Sequence, residues 1–263
     1  MISKMQAAII IKDFQGIVSN KRLFPILLIV PLVFTVVLPS IFILIINFAP
    51  DEIGEMQMLI DMMPISKQAD TISRTIISLI LNYILPGFFM MIPIMAASIT
   101  AASSFVGEKE KRTLETLLYA PLPLKKIFQA KVWSSFLLSM TVSVFSFIIM
   151  LVVVEVEILL TTGSMLLPDA SWLVVMLVVS PALSLLAITL IVSGSAKAQT
   201  VEESQQRSVF LIVPLIVMIM GQFTGITLIS AWYLLIFGVI FAVVAAILMK
   251  RSERKFTYEV LLR

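Results

Sequence analysis

Phe105-Val-Gly-Glu-Lys-Glu-Lys-Arg-Thr-Leu-Glu-Thr-Leu-Leu-Tyr-Ala-Pro-Leu-Pro-Leu-Lys-Lys-Ile-Phe-Gln-Ala-Lys131 is a dense island of charge between two long apolar runs. Ionised side chains are costly in hydrocarbon, so this stretch must face water at a membrane surface. The runs on either side are long enough to cross a bilayer. That contrast decides the fold class: an all-α membrane protein, with the island as a water-facing loop, either a plain solvated connection or a surface that docks a soluble partner.

Composition agrees. Of 263 residues, 60% are hydrophobic and 13% charged, about half the charged fraction of a soluble domain. The chain has no cysteine and no histidine, which excludes disulfides, thiolate chemistry and the commonest proton relay and metal ligand. Apolar runs recur along its whole length, so residues 1–263 read as one membrane domain. The first run is too long for a signal-peptide core and is expected to be a retained span.

Six spans fit, at about 23–48, 76–105, 131–154, 172–193, 208–228 and 232–249. Lys and Arg orient them. Seventeen of the 19 basic residues fall in the N-terminal segment, the 105–131 island, the 194–207 loop and the tail, leaving Lys67 and Arg74 opposite. By the positive-inside rule, both termini and both of these loops are expected in the cytoplasm. The opposite side carries Asp51, Glu52, Glu55, Asp61 and Asp70 in one loop, and Glu155, Glu157 and Asp169 in the other. Ile53, Met56, Leu59, Ile60 and Met63 recur at helical spacing and predict a short helix on the outer surface. The basic tail from Lys250 is expected to anchor span 6 against anionic headgroups.

No Asp, Glu, Lys or Arg lies deep in a predicted span, which opposes ion coupling, proton relay and intramembrane proteolysis. Ser139, Ser143, Ser146 and Ser184 lie within spans without a general base beside them, so they are expected to hydrogen-bond back to their own helix or across to a neighbour. No Gly-x-x-x-x-Gly-Lys-[Ser/Thr] phosphate loop occurs. Energy for uphill movement must come from another chain. Pro86, Pro93, Pro181 and Pro214 predict kinks, and Met90, Met91 and Met95 are candidates either for a greasy path or for packing.

Within the island, Gly107 is a natural break after span 2. Glu108–Arg112 and Lys111–Glu115 are opposite-charge i,i+4 pairs, and Leu114, Leu117 and Leu118 form an apolar stripe on the same short helix. Pro121 and Pro123 stop it, and Lys125 and Lys126 return the chain to the headgroups.

Gly107-Glu-Lys-Glu-Lys-Arg-Thr-Leu-Glu-Thr-Leu-Leu-Tyr-Ala-Pro121-Leu, with Lys131 entering span 3, resembles the signature loop of ABC-2-type transporter permeases. That loop usually reads Gly-Glu-Lys-Glu-x-Gly-Thr-Leu-Glu-x-Leu-Leu-x-x-Pro, and Arg112 stands where Gly is frequent. Ile9-Ile-Ile-Lys-Asp-Phe14 through Pro25 resembles the family's interfacial helix leading into span 1. Ser195 through Gln206 resembles the second cytoplasmic loop of the sodium-extrusion and peptide- or drug-export branches.

The resemblance implies a permease subunit of an ATP-driven exporter in a plasma or inner membrane. It would pair with a second permease, identical or different, and with cytoplasmic ATP-binding subunits. ATP and Mg would sit on those partners, so this chain needs no cofactor and is no enzyme. Nucleic acid is not a partner; membrane lipid is. The loop would be the coupling helix, with Glu108, Lys109, Glu110, Arg112, Thr113 and Glu115 as polar contacts to the ATPase. Leu114, Leu117 and Leu118 would pack into its groove, and Pro121 would set the turn. Glu202 and Glu203 would either add a second contact or simply extend span 4. Peptides, lipids, lipophilic drugs and sodium all fit as cargo. Rival classes are a non-transporting membrane scaffold and an ion-coupled carrier.

Overall fold

The computed structural model describes residues 4–21, 23–48, 72–111, 113, 122–195, 198–223 and 231–255. The surface helix expected over Ile53–Met63 lies outside these residues. Among the described residues there is no strand. A first helix, α1 (Lys4–Val18), precedes six helices long and apolar enough to cross a membrane. These are α2 (Leu23–Phe48), α3 (Ser73–Glu110), α4 (Leu124–Thr162), α5 (Ala170–Ser195), α6 (Val201–Gln222) and α7 (Ala231–Arg254).

Two of these helices are much longer than a membrane requires. α3 has 38 residues and α4 has 39, or nearly 60 Å each at about 1.5 Å per residue, against a hydrocarbon core of about 30 Å. Their surplus must stand in the headgroups and water, which carries the charged island on two helical stalks. The expected break at Gly107 is slight and falls one residue earlier: regular helix ends at Phe105 and resumes over Gly107–Glu110, where Glu110 N–H donates to the Val106 carbonyl and Lys111 N–H to that of Gly107. At its far end α4 continues past 154, taking Glu155 and Glu157 into its last turns rather than into a loop.

α3 is the axis of the bundle. The most apolar stretch of α3 is 89% buried, against 28% for α2, 22% for α6 and 17% for α7. Those three helices turn Ile29, Leu44, Phe210, Val217, Trp232 and Ile247 outward, towards lipid. Met90 and Met91 pack in the core beside Phe89 and Ile92, which favours the packing role over an open path. Phe89, Phe147 and Trp172 join α3, α4 and α5 with ring centroids 5.3–5.9 Å apart. Gly238 brings α7 against α5, where a Cβ would lie 2.9 Å from a Val178 methyl and 3.1 Å from one of Val179.

Three of the prolines act through widened turns. Val33–Val37, Ile80–Ile84 and Val175–Val179 are π-helical, and Pro39, Pro86 and Pro181 each follow two residues later. In each case the residue before the proline donates five residues back, as Leu85 does to the Ile80 carbonyl. The next carbonyl, Leu81, would then need the N–H that Pro86 lacks. The Trp172 indole fills that vacancy, donating to the Leu81 carbonyl at 3.0 Å. The kinks expected at Pro86 and Pro181 thus take the form of π turns, a recognised cause of helix bending.

Several buried hydroxyls bond within the helices. Ser98, Thr100, Ser139, Ser143 and Thr189 each donate to a carbonyl three or four residues earlier. Ser184 instead reaches the Met140 sulfur across the α4–α5 contact at 3.9 Å. At the acidic end of the bundle, Ser40 donates to Glu157 at 2.6 Å, Glu155 accepts from Leu166 N–H, and Asn82 accepts from Asp169 N–H at 2.7 Å. These bonds pin the connection between α4 and α5 against α2 and α3.

Candidate functional site: the base of the charged loop

The opposite, Lys- and Arg-rich end holds the site. One face of α1 carries Gln6, Ile9, Asp13 and Ile17 at spacings of three to four residues, a helical stripe. Gln6, Ile9 and Ile17 are buried there. Ile9 packs with Ile127 and Ala130 of α4, and Gln6 donates to the Lys126 carbonyl at 3.2 Å. A second stripe, Ile11, Phe14 and Val18, is exposed.

Glu108 faces this junction and is buried. Its Oε1 lies 2.8 Å from Lys12 Nζ of α1, and its Oε2 lies 3.1 Å from Lys131 Nζ of α4. Lys131 is only 2% exposed. It also donates to the Ser104 carbonyl and sits over the Phe105 ring, 5.6 Å from its centroid. Ser104 Oγ in turn donates to Asp13 at 2.6 Å. Three helices therefore meet in one polar knot: α1 through Lys12 and Asp13, α3 through Ser104 and Glu108, α4 through Lys131. Burial raises the Asp13 carboxyl above its ordinary range, opposed by the Lys131 charge and by the Ser104 hydrogen bond.

Glu110, two residues on, points to the other side of α3 because successive helical residues are about 100° apart. It is exposed, and its Oε2 accepts from Val201 N–H at 3.2 Å, satisfying an open donor at the start of α6. Thr200 caps that helix by accepting from Glu203 N–H, while Glu203 reaches back to Gln199 N–H. Glu202 and Glu203 therefore open α6; they do not extend the preceding span, whose helix ends at Ser195. Both stay exposed.

Thr113 closes the end of α3, its N–H donating to the Glu108 carbonyl at 2.8 Å. Lys109 is half-buried. Arg112, Leu114, Glu115, Leu117, Leu118 and Pro121 lie outside the described residues. On the returning stalk, Glu253 of α7 lies 3.5 Å from Lys125 and accepts from Gln129 at 3.0 Å. The tail's acid is thus tied to the protein, beyond the headgroup role expected for its basic neighbours.

Sequence reasoning missed Lys12, Asp13, Ser104 and Glu253 as members of this site. Their only signal was charge or polarity at the edge of a span, which snorkelling to headgroups also explains.

Five apolar helices around a buried sixth, α3, with α3 and α4 longer than a bilayer needs, define a polytopic membrane protein. The chain belongs to the family described as ABC-2 family transporter protein, whose model matches residues 7–231. It is accordingly a multi-pass membrane transporter subunit. No curated protein and no solved structure matches it.

Proposed function

We propose that this chain is the permease subunit of an ATP-driven exporter, coupled through residues 108–121 to a separate cytoplasmic ATP-binding subunit. Family membership supports the transporter part. The observation that carries the coupling part is the braced base: an ion pair joins the two stalks of the charged loop, a second joins the α3 stalk to α1, and a hydrogen bond from Gln6 joins α1 to the α4 stalk. A loop that only connected two spans would need no such bracing, whereas one that receives force does.

In this reading the Lys- and Arg-rich end is cytoplasmic, as the positive-inside rule requires. The exposed apolar stripe of α1 rests in the inner leaflet as an interfacial helix. A second permease copy, or a different one, completes the path against the outward faces of the bundle. ATP and Mg are held by the partner ATPase. The apolar membrane interior favours lipophilic or amphipathic cargo.

Glu108 and Glu110 are engaged within this chain, so the charges best suited to the ATPase are Arg112 and Glu115. The test is co-purification of an ATPase with the detergent-solubilised chain, comparing wild type with Arg112→Glu plus Glu115→Lys. An ATPase that accompanies the wild type and is lost from the folded variant supports the proposal. A folded wild type that brings down no ATPase sinks it.

A further inference from the structure

Lys131 is a basic residue buried almost completely where a membrane protein could let its ammonium reach water. Its surroundings answer the charge from two helices. Glu108 and the Ser104 carbonyl belong to α3, and Asp13 of α1 lies one hydrogen bond further, through Ser104 Oγ. Glu108 holds α1 a second time, through Lys12. Gln6 adds a direct bond from α1 to the α4 stalk. Every cross-helix bond of this knot joins α1 to a stalk or one stalk to the other.

α1 leads directly into α2 through Ser19–Lys21, where Phe24 N–H donates to the Asn20 carbonyl and Leu23 N–H to the Asn20 side chain. Displacement of α1 is therefore passed to the first span. The stalks already touch α6 through Glu110 and α7 through Glu253; the knot adds α1, and through it the N-terminal end of α2, to the helices that a push on the charged loop would move.

We propose that Lys131 is the positioning residue of the coupling site. It locks α1 and both stalks of the loop into one body, so that a push on the loop drives α2 together with α3 and α4. This rests on the exporter reading for its purpose, but the mechanical claim stands apart from it. A buried charge-assisted bond suits the task because its strength depends on geometry, so the three helices have one favoured arrangement.

Hydrogen exchange of the full chain in lipid nanodiscs tests the lock without any partner. In Lys131→Gln, amides of Lys4–Val18 should exchange at least about tenfold faster, with the cores of α3 and α5 unchanged; Lys131→Arg, which keeps the charge, should stay within about threefold of wild type. Unaltered α1 exchange in folded Lys131→Gln overturns the proposal. If that variant does not fold, Glu108→Gln, which leaves Lys131 the Ser104 carbonyl, is read in the same way.

In the complex with its ATPase, ATP serves as the probe. Lys131→Gln should keep the ATPase bound and the KM for ATP unchanged while kcat falls about tenfold, with Lys131→Arg restoring it. Wild-type turnover in Lys131→Gln overturns the coupling role. A wild-type chain that binds no ATPase refutes the exporter reading instead, and the exchange result still decides the lock.

Discussion

Glu108 Oε2 and Lys131 Nζ lie 3.1 Å apart across the two stalks of the charged loop, 23 positions apart in sequence, with both side chains withdrawn from solvent. An ion pair so placed contributes little relative to a well-packed apolar pair, but losing one member leaves a buried charge unanswered. Such a loss costs about 3–5 kcal/mol. Glu108→Gln should therefore destabilise the chain by about that amount. Glu108→Gln combined with Lys131→Met, which orphans no charge between them, should be the milder change. Denaturant unfolding in mixed micelles, followed as a double-mutant cycle with both single variants, measures the coupling; a double variant that costs the sum of the two single losses would mean the pair does not interact.

Asp13 gives a pH signature. Its carboxyl is raised by burial in the folded chain, so the folded state holds the proton more tightly than the unfolded one. Stability then falls as pH rises from the ordinary value near 3.8 through the raised one, and the loss is complete above it. Asp13→Asn keeps an acceptor for Ser104 and removes the cost of an ionised group. The variant should be at least as stable as wild type at neutral pH and should show a flatter stability profile across that acid window. Thermal unfolding against pH checks both.

Trp172 and Leu81 give a test of the π turn in α3. Trp172→Phe keeps the ring contacts with Phe89 and Phe147 but leaves the Leu81 carbonyl without its donor, at about 1–3 kcal/mol. In a Pro86→Ala background the new N–H can serve Leu81 five residues back, so the same substitution should cost less. An identical cost in both backgrounds would show that the indole is not answering the missing proline donor.

Gly238 is tight on the rigid side. A methyl there meets β-branched side chains and lies 3.4 Å from the Val179 backbone nitrogen. Gly238→Ala should cost about 1–3 kcal/mol by overpacking. The contrast is Gly194→Ala, where the obstructing atoms belong to the flexible Arg207 side chain, which can swing aside. Comparing the two unfolding midpoints separates a rigid contact from a yielding one.

Much of this arrangement was legible beforehand. The six apolar runs predict six spans, and six helices overlap them, with α2 matching at 23–48 but α4 overshooting 131–154 at both ends and α6 starting at Val201 rather than 208. The signal is strong because backbone polar groups in lipid must be satisfied within their own helix. The 105–131 charges marked the loop for the same reason. The stalks were harder: Gly107 looked like a stop and Glu155 like a loop residue, yet helix resumes at Gly107 after a one-residue interruption and α4 runs on through Glu155. A lone glycine costs a helix only about 1 kcal/mol, and a glutamate at the membrane edge can reach water without ending the helix.

Sequence by itself therefore determined the class of protein, the number of spans and the place of the charged loop, because hydropathy is a property of each segment alone. Only the tertiary structure decided that Glu108 turns inward to Lys12 and Lys131 while Glu110 turns outward to cap α6, that Glu253 grips the returning stalk, and that Trp172 answers Leu81. Those choices depend on which helix face a neighbour covers. A charge two residues further along a helix points nearly the opposite way, and no local pattern in the chain says which of the two will find its partner.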